Sequence, residues 1–138
     1  MKNIFFIFFI LIYSIQFSYA DTIENIDRER QKCFDTNFQS DYTMAQCNYI
    51  AIENYNNEIQ KLLKNLKKTL TKSQYKSFLI SQKYWDAFIK YDNMLLENTL
   101  ETKFYFEPYL ISSNIKYKNY KQRCQELNEL YEYLKIPK

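Results

Sequence analysis

The 138-residue chain has no glycine and no histidine. Without glycine there is no glycine-rich loop to cradle a phosphate and no dinucleotide-binding fingerprint. Without histidine there is no imidazole base, no Ser-His or Cys-His nucleophile pair and no histidine metal ligand. Most common enzyme chemistries go with them, and no cofactor, metal site or catalytic residue is expected. Proline is nearly absent too, at Pro108 and Pro137 only. Sheet proteins lean on glycine for their tight hairpins, so this composition points to helices. Charge is the third thing in short supply: 19 basic against 16 acidic residues give a net of +3. Such a balance gives no footprint for nucleic acid.

The first twenty residues read as a leader. Lys2 is followed by an uncharged apolar run from Ile4 to Ile15, and Ser18-Tyr19-Ala20 precedes Asp21. A basic start, a short apolar core and a small-x-small site make an export signal. A membrane anchor is the alternative, but a spanning helix needs about 20 apolar residues and this run is shorter. Cleavage after Ala20 is therefore expected, leaving a periplasmic or secreted protein of residues 21–138 with no stable membrane anchor.

The organising stretch of that mature chain is Thr43 to Leu100, expected to be two long helices folded back at Thr69-Leu70-Thr71-Lys72. Met44, Cys47, Ala51, Tyr55, Ile59, Leu62, Leu66 and Leu70 recur at steps of three or four and draw one apolar stripe. Thr43-x-x-Gln46 and Thr71-x-x-Gln74 have capping-box spacing and mark the two starts. On the second helix the inward face reads Phe78, Leu79, Gln82, Trp85, Phe88 or Ile89, Leu96 and Leu100, with the only tryptophan in the middle. Lys103 to Ser112 breaks the period, and Ser113 is expected to cap a third helix with Tyr117, Tyr120, Cys124, Leu127, Tyr131 or Leu130, and Leu134 inward. Asp21 to Gln39, charged and mixed in sign, reads as an irregular arm. The expected fold is all-α: an up-down three-helix bundle containing a long antiparallel hairpin, in one domain.

Three surface features invite a functional reading. Lys64, Lys67, Lys68 and Lys72 lie in a segment without acidic residues and make a basic hairpin tip. They could meet an anionic partner, although cations also suit a helix C-terminus and keep a surface soluble. Phe104 and Phe106 belong to an aromatic stretch that either caps the bundle or forms a contact surface. Glu97 with Glu101, and the row Glu126, Glu129 and Glu132, supply carboxylates, but their helical spacing makes a solvated face rather than a glycosidase pair. Three cysteines allow one internal disulfide and leave one thiol over. Cys33 with Cys47 is preferred, and Cys47 with Cys124 is the rival.

Taken together, Cys33, Met44 and Cys47, then Asn56 and Ile59-Gln60, then Leu79-x-x-Gln82-x-x-Trp85, and finally Arg123-x-x-Glu126-Leu127 resemble the pattern of the LprI-type lysozyme inhibitor N-terminal domain. The resemblance runs from Cys33 to about Leu130. It implies a small helical domain of exported bacterial proteins that acts on a protein partner, a lysozyme, by contact alone. It also implies a structural motif of Leu79, Gln82, Trp85, Arg123, Glu126 and Leu127. Family members often carry a second cysteine pair, where this chain has Asn93 and an offset Cys124, which further favours Cys33–Cys47 as the retained crosslink.

Overall fold

The computed structural model describes residues 22–37, 40–100 and 107–136. The expected leader, residues 1–20, and the aromatic stretch with Phe104 and Phe106 lie outside the described residues. Every regular element described is an α-helix, and there are four among the described residues where three were expected: α1 over 22–37, α2 over Asp41–Thr69, α3 over Lys72–Leu100 and α4 over Glu107–Lys135.

The additional helix is the segment read as an irregular arm. Its outer face is stitched by pairs one turn apart, Lys32 to Glu29 and Gln31 to Asp35, both at 2.8 Å. Its inner face carries Ile23, Ile26, Asp27, Arg30, Cys33 and Phe34, and the charged Asp27 and Arg30 in its middle interrupt the apolar stripe in the sequence.

The start of α2 is Asp41 rather than Thr43. Ser40 is the N-cap, in extended backbone, and its side-chain oxygen accepts from the Thr43 amide at 3.2 Å. The predicted stripe is otherwise inside: Cys47, Ala51, Tyr55, Ile59, Leu62 and Leu66 are all buried. At the turn, Thr71-x-x-Gln74 forms the reciprocal box expected of it, with the Thr71 amide donating to Gln74 Oε1 at 2.9 Å and the Gln74 amide to Thr71 Oγ1 at 3.4 Å. On α3, Phe78, Gln82 and Ile89 face inward while Leu79 is 48 % exposed and Phe88 points out. Leu79 is thus not part of the interior that the motif implied for it.

Helix α4 begins at Glu107, six residues earlier than expected. Pro108 falls in its first turn, where a missing backbone amide leaves no bond unmade. Ser113 therefore caps nothing. It is fully buried, donates to the Leu110 carbonyl at 3.0 Å and accepts from Asn48.

Cross-links between helices give the topology. Asn48 meets Ser113, and the Tyr55 ring lies 5.9 Å from that of Tyr117, so α2 and α4 run parallel. Gln82 meets Arg123 and Glu97 meets Lys116, so α3 runs back along α4. Asp27 reaches Tyr55 and Tyr117, while Arg30 reaches Asn48 and Asn114, so α1 is antiparallel to both α2 and α4. Among α2, α3 and α4, the pair packed most extensively is α2 with α4, and beyond its turn α3 rests on α4 rather than on α2. The long hairpin is present as a connection but is not the centre of packing. The core is Ile26, Ala51, Tyr55, Ile59, Leu62, Leu66, Phe78, Tyr117, Cys124 and Leu127, drawn from all four helices.

Candidate functional site

Three places on this framework gather polar chemistry. The first is the seam where α1 enters between α2 and α4. Asp27 accepts from Tyr55 Oη at 2.6 Å, Tyr117 Oη at 2.5 Å and Lys121 Nζ at 2.5 Å. Burial alone would push its carboxyl up, but the bonds from Lys121 and the two tyrosines, with the lysine's charge, hold it below the usual carboxylate range. The same contacts raise Lys121, and burial followed by the carboxylate raises Tyr55 and Tyr117. One turn along, Arg30 donates from Nε to Asn48 Oδ1 at 2.6 Å and from Nη2 to Asn114 Oδ1 at 3.1 Å. Its guanidinium lies 4.3 Å from the Phe34 ring centroid and 4.0 Å from that of Tyr117. Next to it the structure joins Cys33 to Cys47, with Cα atoms 5.7 Å apart, and Cys124 is a free, buried thiol.

These groups spend their hydrogen-bonding capacity on one another, so what they do chemically is hold α1. Asp27, Arg30, Asn48 and Tyr55 were not singled out from sequence as members of a polar site, and Ser113 was read there as a helix cap. The only available sign was that Asp27 and Arg30 share a helical face with Ile23, Ile26 and Phe34.

The second place is between α3 and α4, and it collects most of the sequence motif. Gln82 Oε1 accepts from Arg123 Nη2 at 2.8 Å, and Arg123 Nη1 donates to Glu126 at 3.2 Å. The guanidinium lies 5.7 Å from the Trp85 ring, which meets Tyr120 edge-on at 5.4 Å. Arg123 Nε is buried without a hydrogen-bond partner. Trp85, Phe88, Asn119, Gln122, Arg123 and Glu126 line a shallow groove of about 200 Å³. Leu127 sits behind, in the core, and Leu79 is apart on the outer face.

The third place is a groove of about 250 Å³ between the first turn of α1 and α4, lined by Ile23, Glu24, Gln125, Asn128 and Glu129. Its polar groups are dominated by acceptors. Asn128 Oδ1 is buried with no partner, and the carboxylates of Glu24 and Glu129 flank it. In the acidic row of α4, Glu126 is tied to Arg123 and Glu132 to Lys135 at 2.8 Å, and Glu129 is the member that lines this groove. Glu97, read with Glu101 as a carboxylate pair, is bonded to Lys116 at 3.3 Å.

At the α2–α3 turn, Lys64, Lys67, Lys68 and Lys72 are all exposed. Among the described residues there is no cluster of three or more His, Cys, Asp or Glu able to hold a metal, and no helix long and apolar enough to cross a membrane. Comparison of the chain with protein-family models, with curated proteins and with solved structures finds no match.

Proposed function

We propose that the chain is an exported bacterial binding protein, similar in action to the lysozyme inhibitors whose sequence pattern it resembles, working by protein–protein contact without catalysis. Residues 1–20 serve as its cleaved leader, and the mature protein is periplasmic or secreted. The observation that carries this reading is the α1–α4 groove: Glu24, Glu129 and the unpartnered Oδ1 of Asn128 form an acceptor-rich pocket on an otherwise near-neutral chain. A pocket of that kind suits a lysine or arginine side chain of a basic partner, and a lysozyme is such a partner. The Asp27 and Arg30 contacts support it by fixing α1, and with it Glu24, against α4.

A second reading has its own support. The exposed lysines at the α2–α3 turn favour an envelope interaction module that holds an acidic partner through its basic tip, with no action on lysozyme. One experiment separates the two. Purified protein is titrated against lysozymes of different types in a cell-wall lysis assay, alongside Glu24→Lys/Glu129→Lys and a variant with Lys64, Lys67, Lys68 and Lys72 changed to glutamate. The inhibitor reading expects slowed lysis that the first variant abolishes and the second leaves intact. No slowing at micromolar protein overturns it. Loss of partner capture from an envelope extract by the lysine variant alone supports the second reading.

A further inference from the structure

The outer face of α3 is apolar along most of its length. Ser77, Ser81, Tyr84, Phe88, Tyr91 and Leu95 follow at alternating steps of four and three, the spacing of a helix–helix seam, and no charged residue falls within it. All six are exposed. Tyr84 is 74 %, Phe88 53 %, Tyr91 65 % and Leu95 63 % exposed, and Ile80 at the margin adds 51 %. The charged residues of this stretch, Lys83, Asp86, Lys90 and Asp92, fall outside the stripe, and Asp92 is turned toward α4, where it accepts from Asn119 at 3.0 Å. Inward residues of the same helix, Gln82, Trp85 and Ile89, already contact α4 or lie buried, so the exposed seam is a second face left over after the fold is complete.

The size of the face bears on its occupant. Aromatic side chains contribute roughly 150–250 Å² each when buried, so three aromatics and two aliphatics exposed to this degree offer on the order of 600 Å². Two such faces bury about 1,200 Å² together, the lower bound of a specific interface. It also stands at the upper end of the apolar patches that monomers leave open. An uncharged stripe with regular spacing is complementary to itself, which is what a twofold contact requires.

We propose that the chain pairs with a second copy of itself through this stripe, the two α3 helices crossing antiparallel with Phe88 at the twofold axis. The direction follows from charge. Lys64, Lys67, Lys68, Lys72 and Lys76 cluster at the N-terminal end of α3 and the adjoining end of α2, with no acidic residue between positions 61 and 76. Parallel pairing would bring two such clusters together. Antiparallel pairing holds them apart by the length of α3, about 40 Å for its 29 residues. Tyr84 of each copy then faces Tyr91 of the other. The inference is independent of the acidic groove, which lies on the α1 side of α4.

The test uses protein expressed from the full reading frame and purified as it accumulates. Sedimentation equilibrium is expected to show a reversible dimer. Phe88→Glu with Tyr91→Glu, both at exposed positions, should weaken it about 100-fold or more while leaving the helical circular dichroism unchanged, and the melting temperature unchanged at dilutions where both proteins are monomeric. Under mild oxidation, Phe88→Cys should form a disulfide-linked dimer and Ile80→Cys should not, since antiparallel helices carry the two copies of position 80 well over 10 Å apart. A monomer at every concentration, a dimer indifferent to the glutamates, or crosslinking at 80 as ready as at 88 would overturn the proposal.

Discussion

Asp27 is a side chain on which three helices converge, since its carboxylate takes hydrogen bonds from α2 through Tyr55 and from α4 through Tyr117 and Lys121. Its carboxyl is held below the ordinary value of 3.8, so its contribution to stability is complete above that pH and is lost as pH falls through the lowered value. Replacing Asp27 by Asn should cost about 2 kcal/mol at neutral pH, because hydrogen bonds to a charged acceptor are lost and Lys121 is left without its counter-charge. Denaturant midpoints measured from pH 7 down to pH 2 should show the gap between wild type and Asp27→Asn closing below about pH 4. A gap that stayed constant would assign the carboxylate no such role. Cys124 supplies a second residue-scale expectation. Burial, with a smaller effect from Glu58, pushes its thiol up to about 12, so it should resist iodoacetamide in the native protein and react fully once unfolded. Mass spectrometry reads the difference directly. The place of Cys124, a leftover thiol on an inward face, was legible in the sequence, whereas the Asp27 network was not. An isolated Asp or Cys on a helix shows its type and its face, while the partners that set its chemistry come from helices that start tens of residues away.

At the scale of the element, α1 is the helix that the sequence hid and the one most dependent on specific ties. It buries little apolar surface of its own beyond Ile26, and it is fixed by Asp27, Arg30 and the Cys33–Cys47 bond. The disulfide closes a loop with a sequence separation of 14, worth about 3 kcal/mol if the constraint acts on the unfolded chain. Reduction should lower the melting temperature by roughly 10 °C or more. Amides of 22–37 should lose hydrogen-exchange protection before those of α2 and α4. Uniform loss across all four helices would show that α1 is no separate unit. The long helices, in contrast, were legible wherever the inward stripe was apolar. The α2 stripe and the Thr71–Gln74 box appear as read, as does the inward series of α4 from Tyr117 to Leu134. What misled was polar content in the interior. Ser113 looked like a cap because serine favours caps, but Asn48 across the helix pair gives its hydroxyl a buried partner at 2.8 Å. Leu79 looked inward because it is apolar, but the face that α3 buries runs through Phe78, Gln82 and Ile89 and leaves Leu79 48 % exposed.

At the scale of the whole molecule, the grooves and the seam divide the surface by chemistry. The α1–α4 side carries acceptors, the α2–α3 turn carries lysines, and the free face of α3 carries aromatics, so a basic partner, an acidic partner and a second copy would each engage a different side. The lysine turn was legible in the sequence because its residues are neighbours in the chain, whereas the acceptor groove was not, since it is assembled from two helices about a hundred residues apart; the helical character itself followed from composition alone. The parallel partnership of α2 with α4 has a consequence for how the chain is made. The central pair joins positions such as Asn48 and Ser113, 65 residues apart, so its mutual contacts cannot close until the final helix has been delivered. Helical proteins dominated by neighbouring pairs can begin to set while still emerging, but here the loop to be closed is long and the tail supplies half of the closure. Under the export proposed above, a chain threaded through a translocation pore from its N-terminus would thus stay pliable for most of its passage and solidify only on release at the far side.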